Sequence, residues 1–244
     1  MTSVGLAWEQ FRLERKLFWR NPSAAFFNFL LPLLLLLLIA SVFAGDEDEL
    51  NVLIPGVAGM SIMATTFTAL AFNLTFLREQ GILKRVRGTP VPAASYFTGL
   101  VGSAVVNAVV QVALVVLLGN LLYGVDLPRD VLELAVFTVL GVTAFAALGI
   151  AFSHAIPNFD SAPAYVNAVF LPAIFISGVF YSADSLPPLL EGVAEALPLK
   201  HVIDGLSAAI VTGSGLGNNL TAVAVTAGWA AAGILFAVRF FRWE

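Results

Sequence analysis

The sequence contains no cysteine and few charged residues. Without cysteine the chain has no disulfide, no thiolate metal ligand and no cysteine nucleophile. Only 11% of its 244 residues are charged, against about 25% in soluble domains. Neither of its two histidines, His154 and His201, has a second ligand at the spacing of an HExxH zinc motif. A His201/Asp204 pair suits a hydrogen bond on a helix better than a metal, which needs three or four ligands.

A phosphate-binding loop is also missing. The pattern GxxxxGK followed by Ser or Thr does not occur, so the chain does not bind and hydrolyse ATP in the P-loop manner. An intramembrane serine protease would need a histidine at the depth of Ser61 or Ser103, and the sequence offers none there. No charge lies at the centre of an apolar stretch, which argues against proton relays. We expect neither enzymatic activity nor a bound cofactor or metal.

Long apolar stretches fill most of the chain. Hydrophobic residues make up 59% of it, and the mean hydropathy is +0.91. A bilayer-spanning helix needs about 20 apolar residues, and backbone groups in hydrocarbon must be paired within the segment. Because no alternation indicates a barrel, we predict an all-α membrane protein in which residues 24–244 form six transmembrane helices. The six stretches are residues 24–44, 53–77, 97–122, 131–152, 164–181 and 220–238.

Basic residues divide unevenly between the two sides of this predicted domain. With the N-terminus inside, ten of the twelve Lys and Arg residues are cytoplasmic, and only Arg129 and Lys200 are outside. Short cytoplasmic loops carry the excess of Lys and Arg, so both termini are predicted to be cytoplasmic. The alternative is that the first stretch is a signal peptide cleaved near Ala44. Its apolar run is longer than the 7–15 residues typical of such a peptide.

The N-terminal residues 1–23 precede the first stretch and have an amphipathic pattern. Trp8 and Phe11 recur with other apolar residues at helical spacing, while Arg12 and Lys16 follow another stripe. The pattern predicts an interface helix in the inner membrane surface, with basic side chains among lipid phosphates. Asn21-Pro22 should end it. An ordinary basic anchor before the first span is the alternative.

A charged cytoplasmic loop, residues 78–92, follows the second stretch. One or two helical turns over residues 82–86, ended by Gly88 and Pro90, would present Lys84, Arg85 and Arg87 to the cytosol. Two interpretations stay open. The loop is either a positive-inside anchor or a docking element for a partner with an acidic cleft.

The outer segment between the fifth and sixth stretches is too long for a simple link. Residues 187–196 and 199–211 read as two short helices separated by Pro198, and neither is long enough to cross a bilayer. Irregular backbone at membrane depth must be covered by protein or water. We therefore predict two re-entrant helices within residues 182–212 that enter the outer leaflet.

These three parts, in this order on a six-span frame, resemble the membrane subunits of the ABC-2 family. The segment REQGILKRVRGTPV, which begins at Arg78, resembles the family's ExGTLExL…TPV coupling segment. The segments SGVFY, LP, LPL and DGL, which begin at Ser177, resemble its outer region SGVFYP…LP…LP…DGLR. Ile82, Lys84 and Ser207 depart from the usual Thr, Glu and Arg.

The resemblance implies a permease subunit of an ATP-driven exporter in a prokaryotic plasma (inner) membrane. It would pair with a second copy or a paralogue, contact membrane lipid, and dock on two copies of a P-loop ATPase that holds ATP and Mg²⁺. Nucleic acid is not an expected partner. The implied coupling residues are Glu79, Gly81, Lys84, Arg85 and Arg87. The implied outer gate lies around Pro187, Pro198 and Asp204.

Several polar side chains lie at membrane depth and are candidates to line a transport pathway, although hydrogen bonding between helices is their alternative role. They are Asn28, Thr65, Asn107, Asn167 and Ser177. Two other functions also stay open. An ATP-independent channel or secondary transporter would be expected to show inverted repeats, which are not seen, and a membrane scaffold would not need the basic loop to bind anything. A lipid, an amphipathic drug or a glycan remains open as the substrate.

Overall fold

A computed structural model describes residues 2–43, 45–181 and 186–240, and all regular structure in this part of the chain is helical. The α-helices are α1 (Ser3–Arg20), α2 (Pro22–Val42), α3 (Glu47–Met63), α4 (Ala69–Glu79), α5 (Ile82–Arg87), α6 (Ala93–Tyr123), α7 (Val131–Phe152), α8 (Ala162–Ile176), α9 (Pro188–Ala196), α10 (Pro198–Ser207) and α11 (Leu220–Phe240). A π-helical segment, Ala64–Thr68, joins α3 to α4, and a second one, Ala208–Thr212, extends α10. A short 3-10 helix, Leu216–Asn219, leads into α11.

Within this part of the chain, four helical stretches are long and apolar enough to cross a bilayer. They are Glu47–Glu79, Ala93–Tyr123, Val131–Phe152 and Leu216–Phe240, and they coincide with four of the six predicted spans. Asn28–Val42 and Ala162–Ile176 are shorter apolar helices in the positions of the first and fifth spans. The membrane-helix character is therefore confirmed, and the count of six spans stays a prediction.

The fifth predicted span ends as a helix earlier than expected. We predicted helix to residue 181, but α8 ends at Ile176, and its 15 residues measure only about 22 Å. Gly178 has a φ of 73°, and the chain then turns so that Val179 is fully buried. A Cβ on Gly56 of α3 would overlap the carbonyl group of Val179. The glycine therefore permits this close contact, which the apolar run of residues 164–181 did not indicate.

Helix α3 lies at the centre of the bundle and is buried along most of its length. It packs against α2, α6, α7 and α10. Towards the ends of α4 and α7 a second apolar cluster closes the bundle, and α5 contributes Leu83 to it. The cluster consists of Leu70, Leu74, Leu83, Tyr96, Leu100, Ala146 and Ile150.

Helix α10 is inserted among α3, α7 and α11. Val202 lies 3.2 Å from the position a Cβ on Gly141 would take, in the middle of α7. A Cβ on Gly205 would overlap the ring of Phe137, so only glycine allows this approach. The two short helices predicted in the outer segment are confirmed at Pro188–Ala196 and from Pro198 to Thr212. Residues 182–185 of the predicted segment lie outside the described residues, and a re-entrant position in the bilayer stays a prediction.

Helix α1 ends at the predicted break, with Asn21 as its C-terminal cap. It runs alongside the first half of α6 in a nearly constant register. The Ser95 hydroxyl donates to the carbonyl of Ser3 over 2.9 Å, Gln10 packs against Gly99, and Arg15 donates to Asn107. One face of α1 is therefore covered by protein. Its position in the membrane surface stays a prediction.

Candidate functional site

The short helix α5 presents a basic face and is anchored by apolar side chains. Gly81 precedes it with a φ of 66°, a left-handed conformation that glycine adopts without strain. Leu83 is only 1% exposed, and Val86 packs against the same cluster. Lys84, Arg85 and Arg87 are exposed. The predicted helical turns are thus confirmed, and the buried leucine, which the sequence analysis did not single out, fixes α5 to the bundle.

Two charged residues at the end of α4 hold the loop between α7 and α8. The Arg78 guanidinium donates to the carbonyl of Ser153 over 2.9 Å and also to the carbonyl of Ile156. The Glu79 carboxylate accepts the backbone N–H of Phe159 over 2.7 Å. Phe76 adds an edge-on contact with the Phe159 ring, 5.4 Å between centroids. We call this set of contacts the inner clamp.

The inner clamp joins the helix that leads into α5 with the loop that joins α7 to α8. Glu79 was predicted to contact a partner protein, and the structure gives it an intramolecular partner. Arg78 was not among the predicted coupling residues. Its acceptors, and the donor to Glu79, are backbone groups, and such groups leave no mark in the sequence. In the sequence, only the charged pair Arg78-Glu79 directly after the second apolar stretch could have indicated these contacts.

Three of the four predicted interface residues of α1, Trp8, Arg12 and Lys16, are exposed, whereas the Phe11 ring lies 3.4 Å from the position a Cβ on Gly102 of α6 would take. The rings of Trp8 and Phe11 stack with centroids 5.1 Å apart, and Trp8 is 58% exposed. Arg12 pairs with Glu9 at 3.3 Å, and Lys16 is exposed. This arrangement leaves aromatic and basic groups available to an interface.

The face of α1 that packs on α6 contains two partly buried charged groups, Glu14 and Arg15. Burial raises the pKa of Glu14, and a hydrogen bond from Gln10 at 2.8 Å offsets part of that effect. Burial also lowers the pKa of the neighbouring Arg15, whose guanidinium lies 5.5 Å from the ring centre of Phe18.

A lysine-centred network fixes the corner between α9 and α10. Lys200 donates to Asp204 at 2.8 Å and pairs with Glu195 at 3.1 Å. The His201 ring nitrogen Nε2 donates to the carbonyl of Glu195 at 2.8 Å. Burial lowers the pKa of Lys200, but the two carboxylates together exceed that effect and leave it raised. The predicted gate residue Asp204 is therefore part of a local network. His201 Nδ1 is 4.0 Å from its carboxylate.

The two predicted gate prolines begin or precede these short helices. Pro187 caps α9, and Pro198 is the first residue of α10, where it is buried. Trp229 of α11 donates to the carbonyl of Ala196, between the two prolines, over 2.9 Å. In the described part of the chain, no group of three or more His, Asp or Glu residues is arranged to hold a metal ion.

A buried carboxylate at the start of α7 holds the segment before α11. Glu133 is fully buried, and its side chain accepts the Gly215 N–H at 3.2 Å and the Asn219 amide at 2.8 Å. Nearby, the N–H groups of Arg129 and Asp130 both donate to the carbonyl of Ala209. Nothing in the sequence indicated this role, because Glu133 is simply the third residue of the fourth apolar stretch.

The candidate pathway residues are dispersed. Asn107 is bonded to Arg15, and the Thr65 hydroxyl bonds the carbonyls of Ser61 and Ile62 within its own helix. Asn167 is exposed on α8. The Asn28 Nδ2 and Ser177 Oγ atoms are buried and have no hydrogen-bond partner among the described residues. A transport role for these five residues stays a prediction.

A cavity of about 790 Å³ lies between α7, α8, α10 and α11. None of the five candidate pathway residues lines it. Its wall is almost entirely apolar and contains one histidine. The lining residues are Met63, Phe67, Phe145, Leu148, Ala151, Phe152, His154, Ala155, Val169, Ala173, Leu197, Pro198, Leu199, Trp229, Ala232, Gly233, Phe236 and Phe240.

Comparisons with known proteins match most of the chain. The family model described as ABC-2 type transporter matches residues 6–211. The chain is 28% identical over 184 residues to the daunorubicin resistance ABC transporter permease protein of Streptomyces coeruleorubidus, covering 70% of this chain and 63% of that protein. It is 24% identical over 153 residues to the inner membrane transport permease YadH of Escherichia coli, covering 63% and 59%. The alignments thus span about three fifths of these two relatives' own lengths.

A third relative is the probable multidrug ABC transporter permease YbhS of Escherichia coli. It is 24% identical over 174 residues, which cover 66% of this chain and 43% of that protein.

Proposed function

The chain belongs to the ABC-2 type transporter family, and from this membership we propose that it is the membrane-spanning permease subunit of an ATP-driven exporter. The observation that carries the proposal is α5, a basic helix anchored on the bundle by Leu83. It offers Lys84, Arg85 and Arg87 to a separate P-loop ATPase with acidic groups around its docking cleft. ATP and Mg²⁺ belong to that partner, and this chain contributes no catalytic residue.

The inner clamp supplies a route for the force. Closure of two ATPase subunits around ATP would displace α5, and α4 would follow because only Gln80 and Gly81 separate the two helices. Arg78 and Glu79 would then carry the displacement into the loop between α7 and α8. A ligand that favours one arrangement of packed helices shifts the population towards it. After the span that ends in α4, α7 and α8 would therefore be the next spans to respond.

The membrane arrangement proposed here has six spans, with α2 and α8 as the first and fifth, and cytoplasmic termini in an inner membrane. The basic residues of α1 and α5 support this orientation. The α9–α10 corner would enter the outer leaflet beside α7 and form the outer gate. A second copy or a paralogue would complete the complex, with two ATPase subunits.

We propose an amphipathic lipid or drug as the exported compound, in preference to a glycan. The cavity wall supports this choice because apolar side chains dominate it, whereas a glycan requires many hydrogen-bonding groups. The names of two relatives refer to daunorubicin resistance and to multidrug transport, which agrees with an amphipathic substrate class.

The experiment that tests the proposal is affinity purification of the full chain from its own cell membranes. A P-loop ATPase should co-purify with the wild type and be lost from the triple variant Lys84→Glu/Arg85→Glu/Arg87→Glu. A charge reversal at Arg129, near the other end of the bundle, is the control and should leave the ATPase bound. If folded wild-type protein retains no ATPase under mild extraction, the exporter proposal fails and a channel or scaffold takes its place.

A further inference from the structure

The cavity between α8 and α11 has a buried floor and an exposed rim. Phe67, Phe145 and Leu199 form part of the floor and are almost fully buried. Val169 of α8 and Phe236 of α11 stand on opposite walls and are partly exposed. The cavity therefore opens sideways, between two apolar helices that lie in hydrocarbon under the proposed arrangement.

The two ends of the cavity differ in polarity. Trp229 lies near the α9–α10 corner, and its indole N–H is already used by the carbonyl of Ala196. His154 lies at the opposite end, just beyond the last residue of α7, and is the only titratable side chain among the lining residues that the structure describes. A bound molecule thus meets its polar contact at the His154 end and apolar groups elsewhere.

Two arginines, Arg78 and Arg239, lie near that end of the cavity. The Arg78 guanidinium binds the carbonyls of Ser153 and Ile156, on either side of His154. Arg239 directly precedes Phe240, another lining residue. Of the two acids near this end, Glu79 accepts the N–H of Phe159, and Asp160 is exposed to solvent, which screens its charge. The two arginines and His154 therefore favour an anionic group at this end.

We propose that the cavity binds an amphipathic molecule with an anionic head group at His154 and a hydrocarbon chain extending towards Pro198. Its volume of about 790 Å³ lies in the range of about 300–1,000 Å³ typical of small-molecule sites, which combine an apolar wall with few polar groups. Hydrocarbon surrounds the mouth, so a chain enters without crossing water. An inner-leaflet lipid and a transported single-chain amphiphile share this chemistry.

The inner clamp connects this site with α5. The carbonyls that Arg78 holds belong to residues 153 and 156, and His154 and Ala155 between them line the cavity. Displacement of α4 would therefore reshape the end of the cavity that holds the head group. This role in export rests on the proposed function, whereas binding itself does not.

The test is photolabelling of the full-length chain in detergent micelles, without any ATPase. The probe is palmitic acid carrying a diazirine on its chain, and labelled residues are located by mass spectrometry. Ala232→Phe places a ring in the cavity, while Ala231→Phe places it on the neighbouring exposed position of α11, which does not line the cavity. We expect saturable labelling on residues 151–155 and 229–240, competed by unlabelled palmitic acid. Ala232→Phe should abolish it and Ala231→Phe should preserve it.

Labelling that does not saturate, spreads evenly over the outer faces of α2 and α6, or is equal in the two variants would overturn the site. The methyl ester of the probe should saturate at a concentration about three- to fivefold higher, the effect of a solvent-screened charge contact. Equal saturation would overturn the anionic head group.

A diazirine-labelled phosphatidylglycerol distinguishes the two sources of ligand. Saturable labelling by this probe at the same residues indicates a bilayer lipid, and labelling by palmitic acid alone indicates a single-chain amphiphile. Because no ATPase is present, a negative result removes this site and leaves the exporter proposal to its own affinity-purification test.

Discussion

Arg78→Ala removes the arginine half of the inner clamp. The substitution deletes the 2.9 Å bond to the Ser153 carbonyl and the bond to Ile156. A hydrogen bond from a charged group contributes about 1.5–3 kcal/mol, but Arg78 is only partly buried and water screens it. We therefore expect the substitution to lower the free energy of local opening by about 2 kcal/mol. It multiplies the population of the detached loop by about 30.

Hydrogen–deuterium exchange of the purified protein measures that population directly, because local opening sets the exchange rate of protected amides. Exchange should rise roughly 30-fold in a peptide covering residues 153–161. That peptide includes the Phe159 amide, which Glu79 accepts. The middle of α7 should keep its wild-type protection. Arg78→Lys, which keeps the charge but loses the two-pronged geometry, should fall between wild type and alanine.

Arg85→Ala is the matched control, because Arg85 is an exposed arginine seven positions along, on α5, beyond the clamp. It should leave the loop protected. Unchanged exchange in Arg78→Ala, or an equal rise in Arg85→Ala, would refute the clamp. A complex reconstituted from the Arg78→Ala variant and the ATPase should still hydrolyse ATP, while its export activity falls. ATP hydrolysis and the transmission of force would reside in different chains.

Three further predictions concern stability. Glu133→Ala should lower the thermal unfolding midpoint, because it leaves the Gly215 N–H without its acceptor at a cost of about 2 kcal/mol. Glu133→Gln should lower the midpoint less, and equal midpoints for wild type and Glu133→Ala would contradict this role. Gly205→Ala should destabilise the fold by about 1–3 kcal/mol, since the added methyl overlaps the Phe137 ring, and a wild-type chemical-denaturation curve would count against the packing of α10. Burial raises the pKa of Glu14, so packing of α1 on α6 should be strongest below about pH 4 and weaken as pH rises through the folded-state pKa. The rate of proteolysis within residues 3–20 should therefore increase as pH rises, and Glu14→Gln should remove this pH dependence.

Local chemistry predicted the helix boundaries well. Asn21-Pro22 ends α1, Gly88 follows α5, and Pro198 begins α10, because proline and glycine act through their own backbone geometry. Contacts between elements were not predictable in the same way. An apolar stripe looks alike whether lipid or protein covers it, so the packing of α1 on α6 was not evident. The turn at Gly178 was hidden because Val179 continues the apolar run of α8.

In the candidate site, too, local features were predictable and contacts between distant elements were not. The exposed basic residues of α5 could be read from the sequence because solvent-facing charge in an apolar chain is conspicuous. The inner clamp and the Glu133 contacts could not, since their partners include backbone groups of distant loops. The cavity was also beyond prediction. It exists because α8 and α11 stand apart, and no residue type encodes a gap between helices.

Helix α7 is the one element that both sets of contacts share. The inner clamp holds the loop that follows its last residue, and Glu133 at its first turn holds the segment before α11. α7 contains no proline, whereas the span from Glu47 to Glu79 contains Pro55 and a π-helical segment, features that bend helices. We expect α7, which lacks these features, to transmit displacement along its axis and the span that contains them to absorb it. Under the proposed function, movement at α5 therefore reaches the α10 region along α7, while α3 and α4 accommodate the change.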